Sequence, residues 1–127
     1  MNTGSANPAA THNQRLGSRG EAIAARYLEE RGYRIIDRNW RTRHGELDLV
    51  VEDRGTLVAV EVKTRSGSGY GHPLEAITTR KAGRLKRLLL DWARVHDSHA
   101  LGLRVDAVGI TVHHDAAPRI DHLRGIL

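Results

Sequence analysis

Two neighbouring apolar segments that contain charged residues constrain this chain more than any other feature. The segment 45–52 alternates apolar and polar residues, and the segment 56–65 is a nearly continuous run of apolar, mostly β-branched residues. These patterns predict two β-strands, the second of them a central strand buried on both faces. Burying a charge in such a strand is costly unless the charge is paired or binds a metal. Asp48, Glu61 and Lys63 interrupt these strands and are therefore candidate functional residues.

The turn between the two strands determines whether these charges meet. Residues two apart on a strand share a face, so Glu61 and the lysine two positions later point the same way. A two-residue turn at Arg54-Gly55 would place Asp48 opposite Glu61. A three-residue turn would place Asp48 opposite Val60, on the other face, unless a bulge restored the alignment. The sequence leaves both registers open.

The remaining elements follow from periodicity and turn residues. Apolar residues at helical spacing predict helices over 18–31 and 79–96. Strands are predicted over 33–40 and 103–112, and 118–127 is interpreted as a short last strand or a docking tail. This order predicts an α/β fold in which a mixed central sheet is flanked by helices.

Composition limits the organisation of the chain and its partners. A length of 127 residues predicts one domain, over 15–127, preceded by a disordered tail over 1–14. The tail lacks a signal-peptide pattern, no apolar run reaches the length of a membrane span, and there is no cysteine, so we expect a cytoplasmic protein without a membrane partner. The net charge of +5 favours a polyanionic partner, above all nucleic acid.

The three charged strand residues suit metal-dependent phosphodiester chemistry. Two carboxylates, from Asp48 and Glu61, are ligands that Mg²⁺ or Mn²⁺ prefers. Such a metal polarises a phosphate and lowers the pKa of bound water. The Lys63 ammonium beside it would stabilise the negative charge that develops on the phosphate.

The spacing of these residues resembles a known nuclease motif. Asp48 followed by Glu61-Val62-Lys63 is similar to the PD-(D/E)xK motif of the restriction-endonuclease-like superfamily. More closely, the chain resembles the YraN family of uncharacterised bacterial proteins, which is predicted to share that fold. The matching segments cover nearly everything after residue 15; they are Leu16-Gly17 with Gly20-Glu21, Gly45-Glu46-Leu47-Asp48, Val60-Glu61-Val62-Lys63-Thr64-Arg65, Gly71 with Pro73-Leu74-Glu75-Ala76-Ile77, Arg80-Lys81 and Arg104-Val105-Asp106.

The resemblance implies a role for each matching site residue. It implies a restriction-endonuclease-like core in which Asp48, Glu61 and the Val62 carbonyl bind the metal and Lys63 is the catalytic lysine. Glu21 would correspond to the first-helix acid of archaeal Holliday-junction resolvases. Leu47 replaces the proline of the superfamily motif, and proline supplies no chemistry.

Basic and aromatic residues outside the motif are candidates for nucleic-acid contact. Four arginines of the second predicted helix lie on one stripe, which is either a phosphate-binding surface or a solvated face. Tyr70, in the glycine-rich loop after the second apolar strand, either stacks on a base or pins that loop to the core. The candidate nucleic-acid-binding residues are Arg65, Tyr70, Arg80, Lys81, Arg84 and Arg87.

Structural alternatives exist for several of these residues. Glu61 and Lys63 would also suit a salt bridge on an exposed strand face. Ser18 and Glu21 fit a capping box, in which Glu21 only bonds back to the helix start. Glu46 is either a second acid of the site or a solvated strand end. Asp106 interrupts an apolar strand and is expected to pair with a core arginine.

Three functions remain in competition. The first is a metal-dependent endonuclease acting on DNA, with branched or structured DNA suggested by the resemblance to resolvases. The second is a catalytically silent nucleic-acid-binding module, and the third is a subunit of a larger DNA-processing assembly. Candidate protein partners are a second copy of the chain and other DNA recombination or repair proteins. The intact acid and acid-x-Lys set favours the nuclease, since a pure binder has no need to bury carboxylates facing an anionic ligand.

Overall fold

A mixed five-stranded sheet with a helix on each face forms the protein. The computed structural model describes residues 11–67 and 71–127. In chain order the elements are α1 (His12–Glu30), β1 (Arg34–Thr42), β2 (Gly45–Asp53), β3 (Thr56–Ser66), a short 3₁₀ helix (Pro73–Ala76), α2 (Thr79–Val95), β4 (Gly102–Val112) and β5 (Arg119–Leu123). The strands lie in sequence order across the sheet, and only β3 and β4 pair in parallel. The predicted α/β fold with a mixed, helix-flanked sheet is confirmed, and it fits a restriction-endonuclease-like core.

The two helices cover opposite faces of the sheet because β2 and β3 are apolar on both faces. Residues of α1 pack with Leu49 and Val51 of β2 and with Val58 and Val60 of β3. Residues of α2 pack with the other set of strand residues, including Ala59. The parallel pairing of β3 with β4 requires a crossover, and α2 provides it. The middle of α1, at Gly20, and the start of α2, at Lys81, both lie near the part of β3 that carries the charged residues.

Helix α1 begins earlier than the sequence pattern predicted. The Thr11 hydroxyl accepts a hydrogen bond from the backbone N–H of Gln14, and the Gln14 side chain accepts one from the Thr11 N–H. This capping box starts the helix at His12, so the segment 12–14 is helical and is not part of a disordered tail. The predicted capping box at Ser18 is wrong, because Ser18 lies inside the helix. The first ten residues lie outside the described part of the chain.

The turn between β2 and β3 has two residues. Asp53 pairs with Thr56, and both residues between them, Arg54 and Gly55, have positive φ angles, of 53° and 88°. Two consecutive positive φ angles are typical of the type I′ turn, whose twist matches that of the flanking strands. The register that brings Asp48 to the same face as Glu61 is therefore the one adopted.

A buried polar network ties the C-terminal segment to the sheet. The Asp106 side chain is fully buried and accepts hydrogen bonds from Arg104, from the His122 ring and from the backbone N–H of Gly125. Arg104 also donates to Asp53 at 2.9 Å. The expected pairing of Asp106 with a core arginine is confirmed. Because His122 belongs to β5, the segment interpreted as a last strand or tail is held as a strand.

In the part of the chain that the structure describes, no helix is both long and apolar enough to cross a membrane.

Candidate active site

The side chains of Glu61 and Lys63 on strand β3 point to the face of the sheet that helix α2 covers. Val60 and Val62 contact the core beneath α1, whereas Ala59 contacts the core beneath α2. Because side chains alternate along a strand, Glu61 and Lys63 follow Ala59 on the α2 face. They lie beyond the apolar core, where β3 approaches the start of α2.

Strand β2 departs from regular alternation at Asp48. Leu47 and Val50 both contact the core beneath α2, although they are three positions apart, and Leu49 contacts the opposite core. The ladder between β2 and β3 ends at the pair Leu49 and Val60. Beyond it, the Asp48 carboxylate accepts a hydrogen bond from the backbone N–H of Val62 at 2.9 Å. A side chain thus replaces the next ladder bond, and the Asp48 carboxylate is fixed against β3.

These residues line one cleft of about 330 Å³, beside the part of β3 that lies beyond its ladder with β2. Its walls contain four carboxylates, two lysines and one arginine. The lining residues are Glu21, Gly45, Glu46, Asp48, Glu61, Val62, Lys63, Lys81, Arg84, Leu85 and Leu88. The structure therefore gathers Asp48, Glu61, Val62, Lys63 and Glu21, the residues that the sequence analysis assigned to catalysis and metal binding, around one cavity.

Glu61 is the most buried charged group of the cleft. It is 6% exposed, and its carboxylate lies 2.7 Å from the Lys81 ammonium and 3.4 Å from the Lys63 ammonium. An ion pair between Glu61 and Lys63 does exist, but the burial of Glu61 excludes the alternative of a solvated pair on an exposed strand face. A buried carboxylate retains its charge only when such partners offset the loss of hydration.

The carboxyl of Asp48 has a strongly raised pKa. Burial raises the pKa of its carboxyl to about 7, and the nearby negative charges of Glu61, Glu21 and Glu46 act in the same direction. The hydrogen bond from the Val62 N–H opposes the shift but is outweighed. The charged form of this carboxyl is therefore disfavoured, first by burial and then by the neighbouring acids, and a bound cation would relieve both effects.

Gly20 allows α1 to contribute Glu21 to the cleft. A Cβ placed on Gly20 would lie 1.8 Å from the Thr64 hydroxyl oxygen, so only glycine permits this approach of α1 to β3. The next residue, Glu21, then reaches the cleft from the opposite face of the sheet. Burial, followed by the charge of Glu46, raises the pKa of Glu21.

Glu46 also belongs to the cleft wall and is not simply a solvated strand end. The amide of Asn39, oriented to suit its neighbours, donates to both Glu21 and Glu46, at 3.1 and 3.2 Å. Arg41 contacts the Glu46 carboxylate at 3.2 Å. Asn39 has a φ angle of 53°, and it stands on β1 across from the irregular segment at Asp48. Asn39 and Arg41 do not line the cleft themselves, but they hold acids that do. The sequence did not predict these contacts, because they depend on the β1–β2 register.

The cleft offers oxygen ligands, although its groups are engaged with one another. Among residues 11–67 and 71–127 no group of three or more His, Asp or Glu side chains is arranged to hold a metal ion. All four carboxylates have protein partners instead. Asp48 accepts from the Val62 N–H, Glu61 pairs with the Lys81 ammonium, and the Asn39 amide donates to the other two acids. Carboxylate oxygens are nevertheless the kind of ligand that a small divalent cation takes.

The candidate nucleic-acid-binding residues fall into three groups. Arg84 lines the cleft and, with Arg87 and His44, also lines an adjoining depression. Arg80 and Arg65 are exposed, on α2 and near the end of β3. Tyr70 lies outside the described residues.

Lys81 does not lie on the exposed arginine stripe. It precedes the buried residues Leu85 and Leu88 by four and seven positions, so it shares their helical face. Partial burial acts to lower the pKa of Lys81, but the hydrogen bond to Glu61 and the negative charges of Glu61 and Asp48 outweigh burial, and the pKa is raised. The helical spacing to Leu85 is the signal that distinguishes Lys81 from the stripe.

Comparison with known proteins identifies the family. The model of the uncharacterised protein family UPF0102 matches residues 20–110, which include every catalytic candidate named above. A UPF0102 protein of Rhodococcus opacus (strain B4) is 50% identical over 113 residues, covering 89% of this chain and 96% of that protein. One from Leifsonia xyli subsp. xyli is 51% identical over 112 residues, covering 88% and 95%. The predicted membership of the YraN family is thereby confirmed. The chain belongs to the uncharacterised protein family UPF0102.

Proposed function

We propose that this protein is a metal-dependent endonuclease that hydrolyses phosphodiester bonds in DNA. The observation that carries the proposal is the convergence of Asp48 and Glu61, one partly and one fully buried, on a cleft that also holds the Lys63 ammonium. Two carboxylates facing an anionic ligand would repel it, so their burial favours a bound cation. Branched or structured DNA is the leading substrate class, by analogy with resolvases.

Asp48, Glu61 and the Val62 carbonyl would hold the cation, Mg²⁺ or Mn²⁺. When bound, the cation would polarise the phosphate and acidify a water molecule. Lys63 would place its positive charge beside the phosphate oxygens, where negative charge grows in the transition state. Glu21 would orient the attacking water or accept its proton, since its raised pKa makes it a stronger base than an ordinary glutamate.

The arginines of α2 would bind the DNA backbone. Arg84 lines both the cleft and the depression that it shares with Arg87 and His44, so positive charge continues from the reacting centre along the helix. Phosphate contacts of this kind position a duplex without reading its sequence. Other DNA recombination or repair proteins would be partners of such an enzyme in the cytoplasm.

One observation favours a second candidate, a nucleic-acid-binding module without catalysis. The ion pair of Lys81 with Glu61 offsets the buried charge without any metal. A silent module would retain the basic helix and bind DNA equally well in Mg²⁺ and in EDTA.

The test is incubation of the protein with single-stranded, flapped and four-way DNA in Mg²⁺, in Mn²⁺ and in EDTA. We expect endonucleolytic products with either metal, no products in EDTA, and a preference for at least one branched substrate. If the protein binds these DNA substrates but cleaves none of them in either metal, the nuclease proposal is refuted and the binding module remains.

A further inference from the structure

Lys81 makes the closest ion pair in the candidate active site. Its ammonium lies 2.7 Å from Oε2 of Glu61, whereas the Lys63 ammonium lies 3.4 Å from the same oxygen. The Lys81 side chain is about one third exposed, and the Glu61 side chain is almost completely buried. The shorter contact therefore comes from helix α2 and not from the motif lysine on β3.

The start of helix α2 fixes the position of Lys81. The Thr78 hydroxyl caps the helix by accepting a hydrogen bond from the backbone N–H of Lys81 at 3.1 Å. One turn later, Leu85 anchors the same helical face in the core. The Lys81 side chain is thus directed at Glu61 by a capped, packed helix, and its contact is not an accidental surface pair.

An ammonium in contact with a carboxylate oxygen occupies the place that a metal cation would take. The cleft holds four carboxylates, and Lys81 supplies positive charge at the most buried of them. We infer that Lys81 occupies the cation position at Glu61 in the metal-free protein, so that a divalent cation must displace it and Lys81 sets the metal affinity. This inference rests on the proposed metal site and adds a residue that controls its occupancy.

Displacement would have two consequences for the cleft. Metal binding would carry the cost of breaking one ion pair, so Glu61 stays paired with Lys81 until the cation concentration is high enough. The released ammonium would remain tethered at the start of α2, beside the cleft that receives the anionic substrate.

The test is a Mn²⁺ titration followed by electron paramagnetic resonance of free Mn²⁺, which measures affinity without any cleavage. Four proteins are compared: wild type, Lys81→Met, Lys81→Arg and Lys86→Met. Lys86 is an exposed lysine of the same helix that lines a different depression, so Lys86→Met matches the substitution and the change in charge. Far-ultraviolet circular dichroism and melting temperatures verify that each variant is folded.

We expect Lys81→Met to bind Mn²⁺ about tenfold more tightly than wild type, because a positive charge at contact distance from the ligand is removed. Lys81→Arg, which keeps the charge, should bind as weakly as wild type, and Lys86→Met should change the affinity less than twofold. Equal Mn²⁺ affinity of Lys81→Met and Lys86→Met would overturn the inference and leave the proposed nuclease intact. If Lys81→Met does not fold, tighter Mn²⁺ binding by Lys81→Arg than by wild type would have the same meaning. Absence of Mn²⁺ binding in all four proteins would refute both.

Discussion

The Asp48 carboxyl combines a fixed position with an unfavourable electrostatic environment. The Val62 N–H holds it against β3, while burial and the surrounding acids raise its pKa to about 7. In the metal-free protein this carboxyl therefore carries a proton for much of the time at neutral pH. Metal binding requires the charged form, so metal affinity should increase as the pH rises toward and through 7.

The raised pKa of Asp48 predicts a pH-dependent cost in stability. An unfolded Asp titrates near 3.8, so between about pH 4 and 7 the folded protein binds a proton that the unfolded chain has lost. Below pH 4 this proton stabilises the folded state fully, and that stabilisation disappears as the pH rises through 7. Above pH 7 the buried, charged Asp48 therefore lowers the free energy of unfolding. Asp48→Asn, which keeps the acceptor for Val62, should be more stable than metal-free wild type by about 1–3 kcal/mol at pH 8.

Urea denaturation in EDTA at pH 4.5, 6 and 8 measures this difference. The gain of Asp48→Asn over wild type should shrink toward zero as the pH falls to 4.5. Comparison of the two proteins removes the opposite contribution of Asp106, whose lowered pKa makes its stabilisation disappear at low pH in both. A constant difference at all three pH values would mean that the Asp48 carboxyl is not perturbed.

Several site residues were predictable from their surroundings in the sequence, and others were not. Asp48, Glu61 and Lys63 stand out because charges inside apolar strands require compensation. The turn Arg54-Gly55 was ambiguous, since the preceding Asp53 suits a two-residue or a three-residue turn. Lys81 was assigned to phosphate contact because it adjoins the arginine stripe, and its contact with Glu61 depends on how α2 sits over the sheet.

At the level of elements, the strands were more predictable than the start of helix α1. Alternating and continuous apolar patterns gave β2, β3 and β4 nearly to the residue. The first turn of α1 lacks buried apolar side chains, so its periodicity begins late and only the cap at Thr11 defines its start. The break in β2 at Asp48 had no sequence signal, because Leu47 fits either face.

The contact between α1 and β3 predicts opposite effects for two glycines of one helix. Gly20→Ala should destabilise the protein by about 2 kcal/mol or more, because the new methyl group would overlap Thr64. Gly17→Ala is the matched control, since its Cβ would meet nothing within 4 Å. This control should stabilise the protein by about 0.5–1 kcal/mol through helix propensity.

Thermal and urea denaturation of both glycine variants provides the measurement. Gly20→Ala should also slow DNA cleavage, because displacement of α1 would move Glu21, which would orient the attacking water, away from the cleft. A stabilising effect of Gly20→Ala equal to that of Gly17→Ala would contradict the close approach of helix and strand.

For the molecule as a whole, net charge alone does not locate the nucleic-acid surface. The formal charge is +5, yet the cleft itself contains four carboxylates, so the excess positive charge lies elsewhere. The arginines that continue from the cleft along α2 are the candidate phosphate-binding surface. Electrostatic attraction along that surface would bring a polyanion to an acidic cleft that would otherwise repel it.

Replacement of Arg84 and Arg87 together by alanine should weaken DNA binding. Each lost phosphate contact removes about 0.9 from the slope of log affinity against log salt concentration, so the slope should fall by about 1 to 2. The control is the double variant Arg26→Ala and Arg38→Ala, which removes the same charge from exposed positions on α1 and β1. Fluorescence anisotropy at several salt concentrations measures both. Equal slopes for the two double variants would show that the arginines of α2 form only a solvated face.

The central claim is that the cleft around Asp48, Glu61 and Lys63 cleaves DNA. The most direct test is single-turnover cleavage by identically purified wild type, Asp48→Asn, Lys63→Met and Lys86→Met. Wild type and Lys86→Met should cleave at equal rates with Mn²⁺, whereas Asp48→Asn and Lys63→Met should be at least about 100-fold slower. Lys63→Met should still bind DNA, because its charge acts mainly in the transition state. Cleavage by Lys63→Met and Asp48→Asn at the wild-type rate would contradict the claim and assign the activity to another site or to a contaminating nuclease.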